Sequence, residues 1–330
     1  MKYISDSWAK YHILANDKKF FNWQHFDKVK KRYNFVIAKK KNRIIGCHGF
    51  ISNSQYSEKL ILNDTIWMVN WVADKGIPNP GMKLVFFPIK KLNYTRIGTI
   101  GCNKIAKNIY KKIGFKVGEM KHYYLINSKI RLFKLIKNKK VNNKMINRNI
   151  TKKKIRILKR KLNLNIFGDD KEYLQKKYGK DENFYINRYT KHPYYKYNIY
   201  QITELNKIVG FFVIRICKYK GSKALRIVDF FGYDEALIGI NFPLQKLLSK
   251  TKAEYIDFYE YGMKNSIMLK SGLNKNNFSN DIIIPNYFEP FVKKNINLSW
   301  AIKSKLNRFV PMFKGDCDQD RPSFLKKRKK

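Results

Sequence analysis

The chain has 330 residues, a net charge of +46 and a hydrophobic content of 44%. This length allows one large domain or two ordinary ones with ample core, and the hydrophobic content is typical of a globular protein. The charge predicts attraction to polyanions such as phosphorylated substrates, anionic lipid or RNA, although abundant Lys, Asn, Ile and Tyr also match an A/T-rich coding genome.

Several classes of protein are excluded by what the sequence lacks. The four cysteines form no C-x-x-C pair, which argues against a zinc site and a disulfide framework and suits a reducing cytoplasm. The N-terminal residues contain no apolar core adequate for a signal peptide, and no run approaches the ~18–20 apolar residues of a membrane span. We therefore expect a cytoplasmic protein without a metal, able to lie at the inner face of the plasma membrane.

After a mostly helical stretch at residues 6–33, the first 127 residues follow the order strand, strand, strand, helix, strand, helix, strand. The predicted strands are residues 34–38, 44–51, 65–72, 96–101 and 115–127, and the predicted helices are Met82–Leu92 and residues 103–113. The strands are predicted from runs of β-branched and aromatic residues. The helices are predicted from the helical spacing of apolar residues and from residues typical of helix ends. This order predicts an α/β fold with a mixed (α+β) sheet.

The segment Asn103–Phe115, NKIAKNIYKKIGF, is the most informative part of this unit. Ile105, Ile109 and Ile113 recur at helical spacing and predict one buried face. Asn103 is a good N-cap, and Gly114 is a good C-terminal residue because glycine tolerates a positive φ.

The spacing Asn-x-x-Ala-x-x-Ile-Tyr-x-x-x-Gly-Phe resembles a signature of the GNAT acyltransferase superfamily, in the helix that flanks the acyl-CoA thiol. The order of strands and helices is also that of the GNAT fold. The resemblance implies that Tyr110 protonates the departing thiolate and that Asn103 lies beside the acyl-CoA. It also implies an oxyanion-binding backbone N–H at about Val72.

The same resemblance places the CoA pyrophosphate at the turn that opens the first predicted helix. A helix N-terminus offers free N–H groups, here those around Gly81 and Met82. This turn departs from the family's Gln/Arg-x-x-Gly-x-Gly/Ala pattern, because two prolines remove donors, and Lys75 and Lys83 are expected to compensate as point charges. No motif fixes the base, and the candidates are Asp74, His48 and Asn70 acting through a water.

The second half of the chain repeats the first. A shift of 164 residues aligns six identities in 27 positions, and the hairpin text NRIIGCHGFI matches NKIVGFFVIR. We therefore predict two GNAT-like units in tandem, at residues 1–128 for the donor and 161–330 for a degenerate copy, joined by a basic segment at 129–160. Met268 replaces the tyrosine in the second copy. For the acceptor we predict Arg188, Asp229 and Glu260 in the second unit.

Two further segments are candidates for ligand binding. The segment 129–160 contains fourteen Lys or Arg and no acid, and is either a solvated linker or a surface for anionic lipid or RNA. The residues from Gly315 to Pro322, GDCDQDRP, contain D-x-D-x-D, but Arg321 and Lys327 stand where an EF-hand needs Gly and Glu. Calcium is therefore not expected, and a metal site on Asp316 and Asp318 has little support.

The ending YFEPF…GDxDQDRP and the tandem units resemble acyltransferase-like proteins of bacterial surface-polysaccharide loci, in lipopolysaccharide or capsule biosynthesis. The resemblance implies an N-acyltransferase that uses acyl-CoA, expected to be acetyl-CoA. The expected acceptor is an amino sugar, linked to a nucleotide or a lipid. The alternatives are an aminoacyl-tRNA-dependent transferase of the peptidoglycan-bridge type, which would explain the charge, and a non-catalytic scaffold that binds anionic polymer or membrane.

Overall fold

The structure is a computed structural model that describes residues 1–138, 155–279, 281–307 and 310–323. Residues 139–154 of the predicted basic segment lie outside the described residues, as does the basic tail Lys326–Lys330.

The described chain contains nine α-helices and twenty strands, several of them only two residues long. The helices are α1 (Lys2–Ser7), α2 (Ile13–Asn16), α3 (Lys18–His25), α4 (Pro80–Lys91), α5 (Lys104–Lys112), α6 (Asp170–Tyr178), α7 (Glu182–Tyr185), α8 (Asn241–Thr251) and α9 (Asn265–Lys270). The strands of the first half are β1 (Phe26–Asp27), β2 (Arg32–Tyr33), β3 (Phe35–Lys40), β4 (Arg43–Ser52), β5 (Thr65–Ala73), β6 (Arg96–Ile100), β7 (Lys116–Glu119), β8 (Lys121–Ile126) and β9 (Lys137–Asn138). Those of the second half are β10 (Ile155–Lys159), β11 (Tyr197–Glu204), β12 (Lys207–Tyr219), β13 (Ser222–Gly232), β14 (Tyr255–Tyr261), β15 (Asn274–Lys275), β16 (Ile282–Ile283), β17 (Tyr287–Phe288), β18 (Phe291–Val292), β19 (Ser299–Ser304) and β20 (Met312–Phe313).

Two mixed sheets organise the molecule. The first has the order β3-β4-β5-β6-β19-β7, and the second has the order β10-β11-β12-β13-β14-β8-β15 with β20 also on β14. Each sheet has one parallel pair, β5 with β6 and β13 with β14. Because α4 connects the first pair and α8 the second, the two halves repeat one topology, as the sequence predicts.

Each sheet takes one strand from the other half of the chain. Strand β8 follows β7 directly but lies in the second sheet, between β14 and β15. Strand β19, far along the chain, lies in the first sheet between β6 and β7. The order of elements therefore repeats as two units, while the two sheets are completed by a reciprocal exchange of strands.

The two halves also share apolar core. One cluster of buried side chains contains Trp67 and Ile100 from the first sheet and Phe231 and Phe258 from the second. Burying such large side chains removes apolar surface from water, at roughly 25 cal/mol per Å². The sheets are thus joined by packing as well as by exchanged strands. None of the described helices has the length and apolar character needed to cross a bilayer.

Two local predictions were wrong. The stretch predicted as mostly helical contains three short helices and then a small hairpin, in which Phe26 pairs with Tyr33. In α5 the predicted apolar face is only partly buried, because Ile105 is 73% exposed and Ile109 and Ile113 are half-buried, while Tyr110 is buried. Tyr110 packs with Ala106 and Ile113 in an apolar cluster, so the buried face of the helix includes Ile113 but not Ile105.

Candidate functional site

The two parallel strand pairs separate beyond their first residues, and each leaves a gap. The pairing of β5 with β6 ends at Trp67 and Gly98, although β5 continues to Ala73. We call the space beyond this pair the first gap. The pairing of β13 with β14 ends at Ile227 and Phe258, and the space beyond it is the second gap.

The first gap is bordered by a bulge in β5. The register with β4 shifts between Val72 opposite Cys47 and Val69 opposite Gly49, so β5 has one extra residue there. Asn70, in the bulge, has φ +55, a left-handed conformation that asparagine tolerates better than most residues. Val72, the predicted oxyanion donor, lies directly beyond the bulge.

Tyr110 reaches the first gap from α5. Asn103 caps this helix, because its Oδ1 accepts the N–H of Ala106 at 2.8 Å, and Gly114 ends it with φ +86, as predicted. The ring of Tyr110 lies 6.0 Å from that of Trp71 across the gap. Its hydroxyl has no hydrogen-bond partner among the described residues, and burial raises its pKa above the ordinary value of a tyrosine. The hydroxyl therefore keeps its proton throughout the neutral range.

The predicted pyrophosphate turn opens α4. Asn79 precedes the helix with φ +59, and Pro80 at the first position carries no N–H. Gly81 and Met82 follow in the first turn, where N–H groups lack partners within a helix. The side chains of Lys75 and Lys83 are exposed on this loop. The indole of Trp71 donates to the carbonyl of Gly81 at 3.1 Å, which ties the bulge to the start of the helix.

Two of the predicted bases, Asp74 just after β5 and His48 on β4, differ in their surroundings. Asp74 accepts the hydroxyl of Tyr3 and a guanidinium N–H of Arg43, each at 2.7 Å. His48 is buried, with Nδ1 3.2 Å from the carbonyl of Leu84 and no partner for Nε2 among the described residues. Burial lowers the pKa of His48 to about 4, so the ring is neutral at physiological pH.

Sequence reasoning missed His25, which lies beside the bulge. Its Nδ1 is 3.1 Å from the carbonyl of Phe50, an acceptor, so Nδ1 carries the proton and Nε2 accepts. Nε2 faces the amides of Gln24 at 3.0 Å and Asn70 at 3.4 Å. Burial lowers the pKa of His25 to about 3. Its only sequence signal is the aromatic stretch Phe20–Phe26, which says nothing about the bulge 45 residues later.

The second gap is filled by the chain itself. Strand β20 pairs with β14, Phe313 opposite Glu260, and the N–H of Gly315 donates to the carbonyl of Val228 on β13 at 2.9 Å. The C-terminal segment, residues 310–323, therefore bonds to both strands that border this gap. Among the described residues, no strand bonds to both sides of the first gap.

Acidic residues of the C-terminal segment pair with buried cations. Asp316 lies 2.6 Å from the ammonium of Lys180, which also contacts Asp229. Asp320 accepts two N–H groups of Arg215, at 2.7 and 2.9 Å, and lies 3.5 Å from Arg226. Arg215 and Arg226 are directly opposite each other on β12 and β13, so a shared counterion offsets their repulsion. No cluster of three or more metal-ligating side chains occurs in the described part of the chain.

The three predicted acceptor residues also lie around this segment. Arg188 donates to the carbonyls of Gly315 and Cys317, at 3.2 and 2.7 Å. Asp229 accepts from Lys180 and from the hydroxyl of Tyr189. Glu260 accepts the N–H of Met263 at 3.0 Å, and burial raises its pKa to about 7. All three side chains are buried, and whether they contact an acceptor stays a prediction.

No family model matches the chain, and neither does any curated protein. Among solved structures, it is similar to a GCN5-related N-acetyltransferase from Anabaena variabilis, with a TM-score of 0.48 and 8% identity over 89% of this chain and 67% of that one. It is also similar to a probable N-acyltransferase from Enterococcus faecalis, with a TM-score of 0.44 and 9% identity over 80% and 61% of the two chains. A GCN5-related N-acetyltransferase from Kribbella flavida gives a TM-score of 0.42 and 10% identity over 82% and 59%.

The chain thus spans 59–67% of the length of these three proteins. The strand order itself defines the fold class. The described chain is a mixed α/β protein whose two mixed sheets repeat one topology, as the sequence predicts, and the two units differ in one respect that bears on chemistry. The chain closes the second gap, whereas the first is bordered by a bulge, a helix N-terminus and a buried phenol.

Proposed function

We propose that the protein transfers an acyl group, in the simplest case acetyl, from acyl-CoA to the amine of an amino sugar. The observation that carries this proposal is the difference between the two gaps. A thioester donor needs a channel that ends at polar groups able to stabilise charge. We place that channel in the first gap, which no strand bridges among the described residues. Residues 1–128 are then the donor unit, and residues 161–330 are a copy whose channel is occupied.

In this proposal the first turn of α4 holds the pyrophosphate, through the N–H groups of Gly81 and Met82 and the charges of Lys75 and Lys83. The amine attacks the thioester carbonyl, and the N–H near Val72 stabilises the oxyanion. Collapse of the tetrahedral intermediate breaks the carbon–sulfur bond, and Tyr110 protonates the departing thiolate. Asp74 or His48 takes the amine's proton, and Asn103 holds α5 in place beside the donor.

Trp71 imposes a requirement on this mechanism. Its ring lies between the first turn of α4 and the ring of Tyr110, and Tyr110 itself is only 2% exposed. A donor whose sulfur reaches the Tyr110 hydroxyl must therefore displace the indole or run along its face. Such local movements on ligand binding are common at transferase sites.

For the acceptor we propose an amino sugar linked to a nucleotide or to a lipid, bound with help from Arg188, Asp229 and Glu260. The strongly positive chain suits substrates that carry phosphates and sites of action beside an anionic membrane. The basic segment 129–160 is proposed as the linker between the units.

The test is release of CoA thiol by the purified full-length chain, with acetyl-CoA as donor. The acceptors are D-glucosamine and a UDP-linked amino sugar. For the competing class, aminoacyl-tRNA replaces acyl-CoA as the donor. Amine-dependent thiol release with an amino sugar supports the proposal. Transfer from aminoacyl-tRNA alone would favour the peptidoglycan-bridge type of transferase, and inactivity with every donor that binds would favour a scaffold.

A further inference from the structure

A polar cavity of about 110 Å³ lies on the second unit. Its walls are the C-terminal segment, the turn of the β17–β18 hairpin, and the two facing arginines of β12 and β13. No residue proposed above for donor binding or catalysis lines it. The cavity therefore needs an explanation of its own.

The charges around this cavity are nearly balanced, although the chain is strongly basic. Three arginines and three carboxylates line it. Asp320 neutralises Arg215, Asp257 pairs with Arg226, and Asp318 accepts from Arg321 at 3.1 Å. Behind the wall, Lys314 donates to the carbonyl of Asn286, and burial lowers its pKa to about 7. A phosphate site needs cations that have no other counterion, but each arginine that lines this cavity is already paired with a carboxylate.

Two lining groups are left without a partner inside the described chain. Glu289, half-buried at the tip of the β17–β18 hairpin, makes no hydrogen bond or ion pair with any described residue. Asn286 is 1% exposed, and its Oδ1 has no hydrogen-bond partner there. Both are acceptors, and a buried acceptor without a donor costs free energy. The cavity is therefore complementary to a ligand that has hydroxyl or ammonium donors.

Other groups that line the cavity are planar aromatic rings and a guanidinium. Tyr195 stacks on the guanidinium of Arg215, whose carbon lies 3.9 Å from the ring centre, and Tyr287 stands on the opposite hairpin. Planar carboxylate, guanidinium and amide groups match pairs of adjacent hydroxyls, and aromatic rings cover the apolar face of a sugar ring. These features together fit a compact ring with several hydroxyls.

One side chain separates the cavity from the donor side of the molecule. Gln319 accepts the hydroxyl of Tyr287 at 2.9 Å and donates to Asp318 at 3.1 Å. Its carboxamide packs against Gly101, where an added Cβ would lie only 2.3 Å away. Gly101 links β6 to Asn103, the cap of α5, so the cavity adjoins the end of the first gap.

We propose that this cavity binds the ring of an aminodeoxy sugar, with Glu289 and the Oδ1 of Asn286 accepting its hydroxyl or ammonium donors. The inference rests on the proposed function for the role of that sugar as acceptor, but binding can be measured without catalysis. Gln319 forms the wall of the cavity between the bound sugar ring and the donor site.

The experiment is titration calorimetry of the full chain with D-glucosamine, glucose, spermidine and inorganic phosphate. Glucosamine should bind best, and Glu289→Gln should weaken it about tenfold or more, because a charge-assisted hydrogen bond is lost. Ser323→Phe, which places a ring in the cavity, should abolish binding. Glu58→Gln, the same chemical change at an exposed glutamate outside the cavity, should leave affinity unchanged. Unfolding midpoints of the variants check that each is folded.

Stronger binding of phosphate than of glucosamine, equal binding of spermidine, or unchanged affinity in both cavity variants would overturn the assignment. A parallel titration with CoA separates the two proposals. If CoA binds and acetyl transfer occurs while Glu289→Gln and Ser323→Phe leave the acceptor KM unchanged, the cavity assignment fails and the proposed function stands. If glucosamine binds in the cavity but CoA does not bind at all, the proposed function fails instead.

Discussion

Tyr110 is the residue on which the chemistry of the first gap depends. Its hydroxyl has no partner among the described residues, and burial raises its pKa, so loss of its proton should not limit the rate between pH 7 and 10. We predict that Tyr110→Phe lowers turnover by about 10²–10⁴-fold while CoA affinity stays nearly the same, because general acid help is lost and packing is kept. Steady-state kinetics and CoA titration measure the two quantities.

Tyr123→Phe is the matched control, because Tyr123 is also buried and its hydroxyl has no partner in the described chain, but it lies on β8 in the other sheet. Its turnover should equal that of the wild type. Wild-type turnover in Tyr110→Phe would show that the phenol only packs.

His48 provides a prediction about pH. Its pKa is about 4 in the folded chain and about 6.5 when unfolded, so between these values only the unfolded state binds the proton. Its titration therefore destabilises the fold as pH falls from 6.5 towards 4. Between pH 7.5 and 5, the free energy of unfolding should fall by about 2 kcal/mol less in His48→Gln than in the wild type, because the variant has no imidazole to protonate on unfolding.

Urea unfolding at both pH values measures this effect, and the difference at pH 7.5 gives the packing cost of the substitution separately. An identical pH dependence in variant and wild type would mean that His48 titrates normally in the fold.

At the residue scale, local signals were predictable and distant partners were not. The cap by Asn103 and the positive φ of Gly114 follow from the chain within four residues of each position. The exposure of Ile105 was not predictable from periodicity, because packing of Tyr110 set the rotation of α5. The position of His25 depends on a bulge in β5, and the cations that pair with Asp316 and Asp320 are more than 90 residues away.

Among the elements, the C-terminal segment is the one that fills the second gap, and buried ion pairs hold it there. The ammonium of Lys180, 1% exposed, is shared between Asp229 on β13 and Asp316 on the segment. Lys180→Met would leave two buried carboxylates without their cation, and we predict a loss of about 3–5 kcal/mol in the free energy of unfolding. Chemical denaturation at pH 7.5 is the measurement.

Lys176→Met, four residues earlier, is the control, because its ion pair with Glu172 is exposed to solvent. Its denaturation midpoint should remain that of the wild type. Equal effects of the two substitutions would show that the Lys180 cluster does not hold the segment in the second gap.

The helices and strands themselves were largely predictable, while the exchange of β8 and β19 was not. Hairpin β3–β4, strand β5 and helix α5 have strong periodicity and good end signals. Strand β8 continues the predicted strand region at residues 115–127, which could pair in either sheet, because alternation predicts which face is buried and not which neighbour it meets. The pairing of β19 with β6 spans about 200 residues and has no local sequence signal.

Over the whole molecule, burial of acids makes the surface more positive than the composition suggests. Eleven of the 24 acidic side chains are buried, against six buried basic ones in the described part of the chain. Several of these acids hold the C-terminal segment and the facing arginines together. The surface that meets a phosphorylated donor, an anionic membrane or an RNA therefore carries a strong positive field.

The central claim at this scale is that one molecule has one donor site, in the first gap. Hydrogen exchange with and without saturating CoA tests it most directly, because the protection of backbone amides around both gaps is measured in the same sample. With the donor site in the first gap, we expect protection at residues 72–84 and 98–110, around the bulge, the first turn of α4 and the start of α5. Protection confined to residues 205–275, or none at saturating CoA, would contradict it.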